Sequence, residues 1–125
     1  VARPLVRLAF LRALDAQGRG DDALDLLRRL SGELPMLDEV QRRIRSLELR
    51  REGERYFSAG DVPTALRLFV QGLESDPEDA LTHNNIGVAL FTLGDAPRAR
   101  ESFERALRLA PALDDARQNL DACSV

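Results

Sequence analysis

Apolar residues recur along most of the chain at helical spacing, and glycine and proline interrupt that spacing at regular distances. The segment 79–92 predicts a helix, with apolar residues at Leu81, Ile86, Leu90 and Phe91. Gly94 follows it, and glycine tolerates the left-handed conformation that often ends a helix. Asp95 and Pro97 then favour the start of a second helix, because aspartate caps helix N-termini and proline is accepted in the first turn. The pattern predicts two helices joined by a tight turn, and Pro111 ends the second.

This helix pair is one unit of an internal repeat. Residues 46–79 aligned with residues 80–113, an offset of 34, share ten identities where chance would give about two or three. The identical residues shape turns and helix contacts: Leu47/Leu81, Gly53/Gly87, Phe57/Phe91, Gly60/Gly94, Asp61/Asp95, Pro63/Pro97, Ala65/Ala99, Phe69/Phe103, Leu73/Leu107 and Pro77/Pro111. We therefore predict an all-α solenoid built from antiparallel helix pairs.

The remaining chain extends the repeat less regularly. A divergent unit is predicted over 4–34, and the next unit, 36–79, carries extra residues before the repeat frame begins. These keep helical spacing and contain no breaker, so we predict one long first helix, Leu37–Ala59, of roughly 34 Å. Residues 114–122 begin a further unit and are predicted to form a helix that caps the repeat 80–113. We expect a single domain that is a fragment of a longer protein.

The two regular units resemble the tetratricopeptide repeat, a 34-residue helix pair with small and aromatic residues at fixed positions. In residues 80–113 the matching positions are Ile86, Gly87, Leu90, Ala99, Phe103, Ala106 and Pro111. In residues 46–79 they are Gly53, Tyr56, Ala65, Phe69, Gly72 and Pro77. The resemblance implies a right-handed superhelical solenoid of about three repeats plus a C-terminal capping helix. It also implies that the first helices of successive repeats line a concave groove, which binds a peptide or helix of another protein.

Composition excludes several other classes. The 125 residues include 18 basic and 21 acidic ones, a net charge of -3, with one histidine and one cysteine. All the basic residues are arginine, which is typical of a GC-rich, bacterial genome. A single cysteine cannot form an internal disulfide, no apolar run approaches the ~20 residues that cross a bilayer, and an acidic chain is a poor nucleic-acid binder. We find no catalytic, phosphate-binding or metal-ligand motif, and therefore predict no enzyme activity, no cofactor, no metal site and no membrane insertion. The expected location is the cytoplasm, with the periplasm left open.

The single histidine and cysteine are interpreted as structural. His83 stands where the family packs a bulky residue, usually tryptophan, between paired helices. Cys123 lies in the final turn and is interpreted as a thiol at the end of a fragment. They lie forty residues apart and are too few to form a structural zinc site.

By resemblance, the groove residues lie on three helices. The long helix contributes Leu47, Arg50, Arg51, Glu54, Phe57 and Ser58. The next repeat contributes Leu81, Asn84, Asn85, Val88, Phe91 and Thr92, and the terminal helix contributes Asp115, Gln118 and Asn119. Apolar contacts are expected from Phe57, Phe91 and Leu81, and polar ones from Asn84, Asn85, Asn119, Arg50 and Arg51.

Asn85 and Asn119 are separated by one repeat, so they predict part of an asparagine ladder. An amide carries both a donor and an acceptor and can hold a peptide backbone without reading its side chains. Tetratricopeptide superhelices of O-linked sugar transferases use such a ladder. Arg51 occupies the preceding position, and the equally weighted alternative is that these amides are solvent-exposed polar residues.

Arg50 and Asn85 also resemble part of the carboxylate clamp with which some co-chaperones hold acidic chaperone tails. The resemblance is incomplete, because Glu54 replaces a clamp asparagine and Asp115 stands where a basic residue is required. A full clamp is therefore not the favoured interpretation.

Charge is distributed unevenly along the chain. The long helix carries six arginines: Arg42, Arg43, Arg45, Arg50, Arg51 and Arg55. From Glu74 onward there are ten acidic residues and five arginines, a net charge of -5, so the earlier part carries +2. This pattern is typical of a solvated helix, and it is also what a groove that orients a charged partner would show.

We predict a protein–protein interaction module or scaffold that binds a peptide or helix of a partner protein. Two alternatives stay open. The chain could be the non-catalytic recruiting arm of a larger enzyme, or a self-associating module in which a terminal helix occupies a neighbour's groove.

Overall fold

A computed structural model describes residues 38–123 and, upstream, residues 18, 19, 22, 25, 26, 28 and 29; within residues 38–123 five helices follow one another. Within residues 38–123 they are α1 (Asp38–Ser58), α2 (Val62–Ser75), α3 (Ala80–Thr92), α4 (Ala96–Leu109) and α5 (Asp114–Cys123). Helices α1 and α2 pack as one pair, α3 and α4 as a second, and α5 packs on α4 and α3. The predicted all-α repeat solenoid is confirmed. The divergent unit predicted over 4–34 lies largely outside the described residues, and the division of the chain into repeats stays a prediction.

The turns within the two pairs are built alike and place the helix boundaries. Gly60 and Gly94 follow α1 and α3 and adopt φ values of +91° and +90°, which L side chains rarely adopt. Asp61 and Asp95 then cap α2 and α4, each carboxylate accepting a backbone N–H three residues later at 3.2 Å. Hydrogen bonds from Thr64 lower the pKa of the exposed Asp61 carboxyl below its ordinary value. The predicted glycine turn and aspartate cap of residues 94–95 are confirmed.

The two helices of each pair come into close contact where a glycine of one faces a phenylalanine ring of the other. A Cβ atom added to Gly53 would lie closer than 3.0 Å to Phe69, and one added to Gly87 would lie equally close to Phe103. The missing side chain therefore allows each phenylalanine to fill the space between its two helices. Both rings belong to the main buried core: Ala65, Phe69, Ile86, Leu90, Ala99, Phe103 and Cys123.

Helix α1 is the longest of the described helices, with 21 residues and a length of roughly 32 Å. It confirms, across Asp38–Ser58, the long helix predicted over Leu37–Ala59. Its buried face is unusual because it includes two arginines: Val40, Arg43, Ser46, Leu47, Arg50 and Gly53. Arginine is almost never fully buried without a partner, so this face requires one.

Candidate functional site: the groove between α1, α3 and α5

A cavity of about 280 Å³ opens where the first helices of successive units meet. Helix α1 lines it with Arg50, Arg51 and Glu54, and α3 lines it with Leu81, Asn84 and Asn85; Asp115 of α5 and Gly18 complete the lining. Seven of the predicted groove residues, Asp115 among them, therefore lie around one cavity. The cavity walls carry side chains from residues 65 positions apart in the chain.

The other predicted groove residues lie elsewhere. Leu47 is wrong as a groove residue, because its side chain is 0% exposed and cannot contact a partner. Phe57 and Val88 are half-buried and pack against the main core. Phe91, by contrast, is 47% exposed at the end of α3, and Gln118 is exposed on α5. An exposed aromatic residue of this kind is available for contact with a partner.

Arg50 borders the cavity, but its charge is already compensated from within. The residue is 3% exposed, and its Nη1 atom lies 3.2 Å from Oδ1 of Asp79, which is itself 1% exposed. Its Nε atom lies 3.7 Å from a carboxylate oxygen of Glu54. The guanidinium thus lies between two carboxylates, and a ligand carboxylate would compete with a buried ion pair.

Asp79 is the centre of a buried polar junction between α1 and the turn that precedes α3. Its carboxylate accepts the hydroxyl of Thr82 at 2.6 Å and the hydroxyl of Ser46 at 3.5 Å, and it caps α3 through the Thr82 backbone N–H at 3.4 Å. Arg43 lies 3.7 Å from it and also pairs with Asp76, which is buried too. These contacts fix α3 against α1 and thereby fix the width of the cavity.

The sequence interpretation missed this junction. It treated the arginines of α1 as a solvated or partner-facing set, whereas Arg43, Ser46 and Arg50 are spaced three and four residues apart and share one buried face. Asp76 and Asp79 are likewise three residues apart. Basic and hydroxyl residues on one face of α1, together with two acidic residues three positions apart before α3, are the signal that could have identified the junction.

Amide side chains cross-link the three helices around the cavity. Nδ2 of Asn85 donates to a carboxylate oxygen of Glu54 at 3.1 Å, which joins α3 to α1. Nδ2 of Asn119 donates to Oδ1 of Asn84 at 3.1 Å, which joins α5 to α3. A carboxylate only accepts hydrogen bonds, so Asn85 must turn its NH₂ group toward Glu54. The two predicted ladder residues therefore take part in inter-helix contacts.

His83 and Cys123 occupy structural positions. His83 is buried, and its Nε2 atom lies 2.9 Å from the backbone oxygen of Pro77. This contact links α3 to the turn that precedes it. Cys123 is buried in the main core, and its backbone oxygen accepts a hydrogen bond from Arg100 at 2.8 Å. The sequence interpretation of Cys123 as an end-of-fragment thiol did not anticipate this burial, which brings α5 onto the core.

Two features are absent from the described part of the chain. No group of three or more histidine, cysteine, aspartate or glutamate side chains there could hold a metal ion. No helix within the same residues is both long and apolar enough to cross a bilayer.

Comparisons with known proteins agree with this geometry. A family model described as "Tetratricopeptide repeat" matches residues 50–121. Stress-induced-phosphoprotein 1 of Caenorhabditis elegans is 34% identical over 62 residues, which is 50% of this chain; the match spans only 19% of the length of that relative.

Two solved structures share the fold. One is described as "First TPR of Spaghetti (RPAP3) bound to HSP90 peptide SRMEEVD"; its TM-score is 0.59 at 20% identity, covering 96% of this chain and 89% of that one. The other is a MamA mutant with a TM-score of 0.56 at 24% identity, covering 94% of this chain and 80% of that one. With the family model matching more than half of its length, the chain belongs to the tetratricopeptide repeat family.

Proposed function

We propose that this chain is a protein-interaction module whose groove between α1, α3 and α5 binds a peptide or helical segment of a partner protein. The observation that carries the proposal is the convergence of seven predicted groove residues from three helices on one cavity. The cavity is concave and combines polar groups with the apolar side chain of Leu81, as peptide-binding surfaces do. The peptide seen in the Spaghetti structure supports the same mode for a related fold.

The groove presents few apolar anchors, so affinity must come from both polar and apolar contacts. Arg51, Glu54 and Asn85 supply polar groups along one wall, and Phe91 supplies exposed apolar area at the far end of α3. Such a surface suits an extended segment with one large apolar side chain and several backbone hydrogen bonds.

The proposal is tested by selecting peptide ligands and then replacing two groove side chains with alanine. Heptapeptides selected on the 125-residue chain from a random display library are labelled, and their dissociation constants are measured by fluorescence anisotropy. The double variant Arg51→Ala/Asn85→Ala is expected to bind at least about tenfold more weakly, a loss of about 1.4 kcal/mol. Gln71→Ala/Arg105→Ala, two exposed positions on α2 and α4, serves as the control and should bind as the wild type does. Equal loss in both variants, or none in either, would overturn the proposal.

A further inference from the structure

The charges around the cavity differ from those that would hold an acidic peptide. Among the described residues that line the cavity or lie directly beneath it, three are carboxylates (Glu54, Asp79 and Asp115) and two are guanidiniums (Arg50 and Arg51). Asp79 and Arg50 form a buried pair, which leaves Glu54 and Asp115 against Arg51 at the surface. The local balance is negative, and an incoming carboxylate would face it directly.

An acidic ligand would need Arg50 as its partner, but the guanidinium of Arg50 already contacts carboxylates of the protein. Its Nη1 atom lies 3.2 Å and 3.4 Å from the two carboxylate oxygens of Asp79, while its Nε atom faces Glu54 at 3.7 Å. A ligand carboxylate placed against this guanidinium would be brought close to two existing negative charges. Because Asp79 is buried, its attraction for Arg50 is weakly screened by solvent, and a ligand carboxylate would have to compete with it.

Helix α5 adds one carboxylate to the wall of the groove, because Asp115 lines the cavity. The helix has a single arginine, Arg117, which lies outside the cavity lining and whose Nη2 atom donates to the backbone oxygen of Pro111. Helix α1 carries exposed arginines on the opposite side of the cavity, including Arg51. A peptide that crosses the cavity from α1 to α5 therefore passes from a wall with arginines and Glu54 to a wall whose lining charge is the carboxylate of Asp115.

We infer that the groove selects a partner segment with a lysine or arginine side chain, which lies between the carboxylates of Glu54 and Asp115. This inference rests on the proposed function and names the chemistry of the partner. Asn85 holds Glu54 in place through its 3.1 Å hydrogen bond, so one acceptor of the site is oriented before the ligand arrives. The expected ligand is opposite in charge to the peptide in the Spaghetti structure.

The first test is the composition of selected peptides. Random heptapeptides are held inside a flexible carrier loop, so that terminal charges play no part, and are selected on the wild type, on Glu54→Gln/Asp115→Asn and on Glu101→Gln/Glu104→Gln. The last variant removes the same number of charges from exposed positions on α4 and controls for net charge. Lysine and arginine should be enriched severalfold by the wild type and by the control, and not by Glu54→Gln/Asp115→Asn.

The second test compares two peptides directly. The best selected basic heptapeptide should bind at least about tenfold more tightly than the acidic heptapeptide SRMEEVD, and the difference should shrink on Glu54→Gln/Asp115→Asn. Enrichment of acidic residues, or equal or tighter binding of SRMEEVD, would overturn this inference while the proposed function survived. Selection that yields no groove-dependent peptide at all would overturn both.

Discussion

The two junctions between successive units occupy equivalent positions in the repeat but are built from opposite chemistry. The first consists of Ser46, Gly72, Asp79 and Thr82, and the second, 34 residues later at every position, consists of Ala80, Ala106, Leu113 and Ala116. Asp79 collects hydroxyl and guanidinium donors, whereas the four residues of the second junction form a buried apolar cluster. The same helix arrangement thus accepts either an ionic or an apolar contact.

This difference assigns different roles to residues at the same position. Arg50 and Asn84 are one repeat apart, and both border the cavity. Arg50 is held by the carboxylate of Asp79. The residue equivalent to Asp79 one repeat later is Leu113, which carries no charge, and Asn84 accepts a hydrogen bond from Asn119 instead. Family position alone therefore does not decide whether a groove residue faces a ligand.

The largest loss of stability is expected when Asp79, the centre of the first junction, is replaced. Asp79→Ala leaves the buried Arg50 without its main partner and removes the α3 cap, so the free energy of unfolding should fall by about 3–5 kcal/mol. Asp95→Ala removes the exposed cap of α4 and should cost about 1 kcal/mol. Urea denaturation followed by circular dichroism measures both. Similar losses in the two variants would show that Asp79 is only a cap.

The second junction, which is apolar, should contribute less to the free energy of unfolding than the first. Leu113→Ala removes buried methyl groups from a small cluster, and we expect a loss of about 2–3 kcal/mol in the same urea measurement. Ala112→Gly, at the exposed neighbouring position, controls for backbone effects in this turn. A loss larger than that of Asp79→Ala would reverse the ranking of the two junctions.

Replacing the ion pair between Arg50 and Asp79 by apolar side chains should recover most of the stability that Asp79→Ala loses. In Arg50→Met/Asp79→Leu an apolar pair replaces the ion pair, and the buried Arg43 keeps Asp76 as a partner. Replacing a buried pair by packed apolar side chains is often nearly neutral, so the net loss should be about 1–2 kcal/mol, which includes the lost cap. A double-mutant cycle with Arg50→Met and Asp79→Leu measures the coupling. Additive losses would contradict an ion pair at this site.

The fold could be predicted from the sequence because the repeat marks it twice. Gly94 and Asp95 identify a turn and a cap by local chemistry, and the 34-residue copies of Gly87 and Phe103 identify both as repeat positions, although their mutual contact is seen only in the structure. The long helix followed from spacing without a breaker. Each of these signals depends on residues close in the chain or on the repeat itself.

The site was only partly predictable because burial of charge depends on distant partners. Arg50 and Asp79 lie 29 residues apart, and neither has a charged counterpart one repeat later, so the repeat gave no indication of their pairing. Leu47 was placed in the groove by family position, although the structure shows its side chain fully buried. Seven other residues of the predicted groove, Asp115 included, lie around one cavity because their helices keep the repeat geometry, and their role in binding stays a prediction.

The central claim, that the groove between α1, α3 and α5 is the binding surface, is tested most directly by nuclear magnetic resonance of the side-chain amides. The ¹⁵N-labelled chain is titrated with its best selected heptapeptide, and the NH₂ resonances of Asn84, Asn85 and Asn119 are followed beside that of Gln71 on α2. We expect the three groove amides to shift together and saturate with one dissociation constant, while Gln71 stays unchanged. Shifts confined to Gln71 and other residues of α2 and α4, with the groove amides unmoved, would contradict the account.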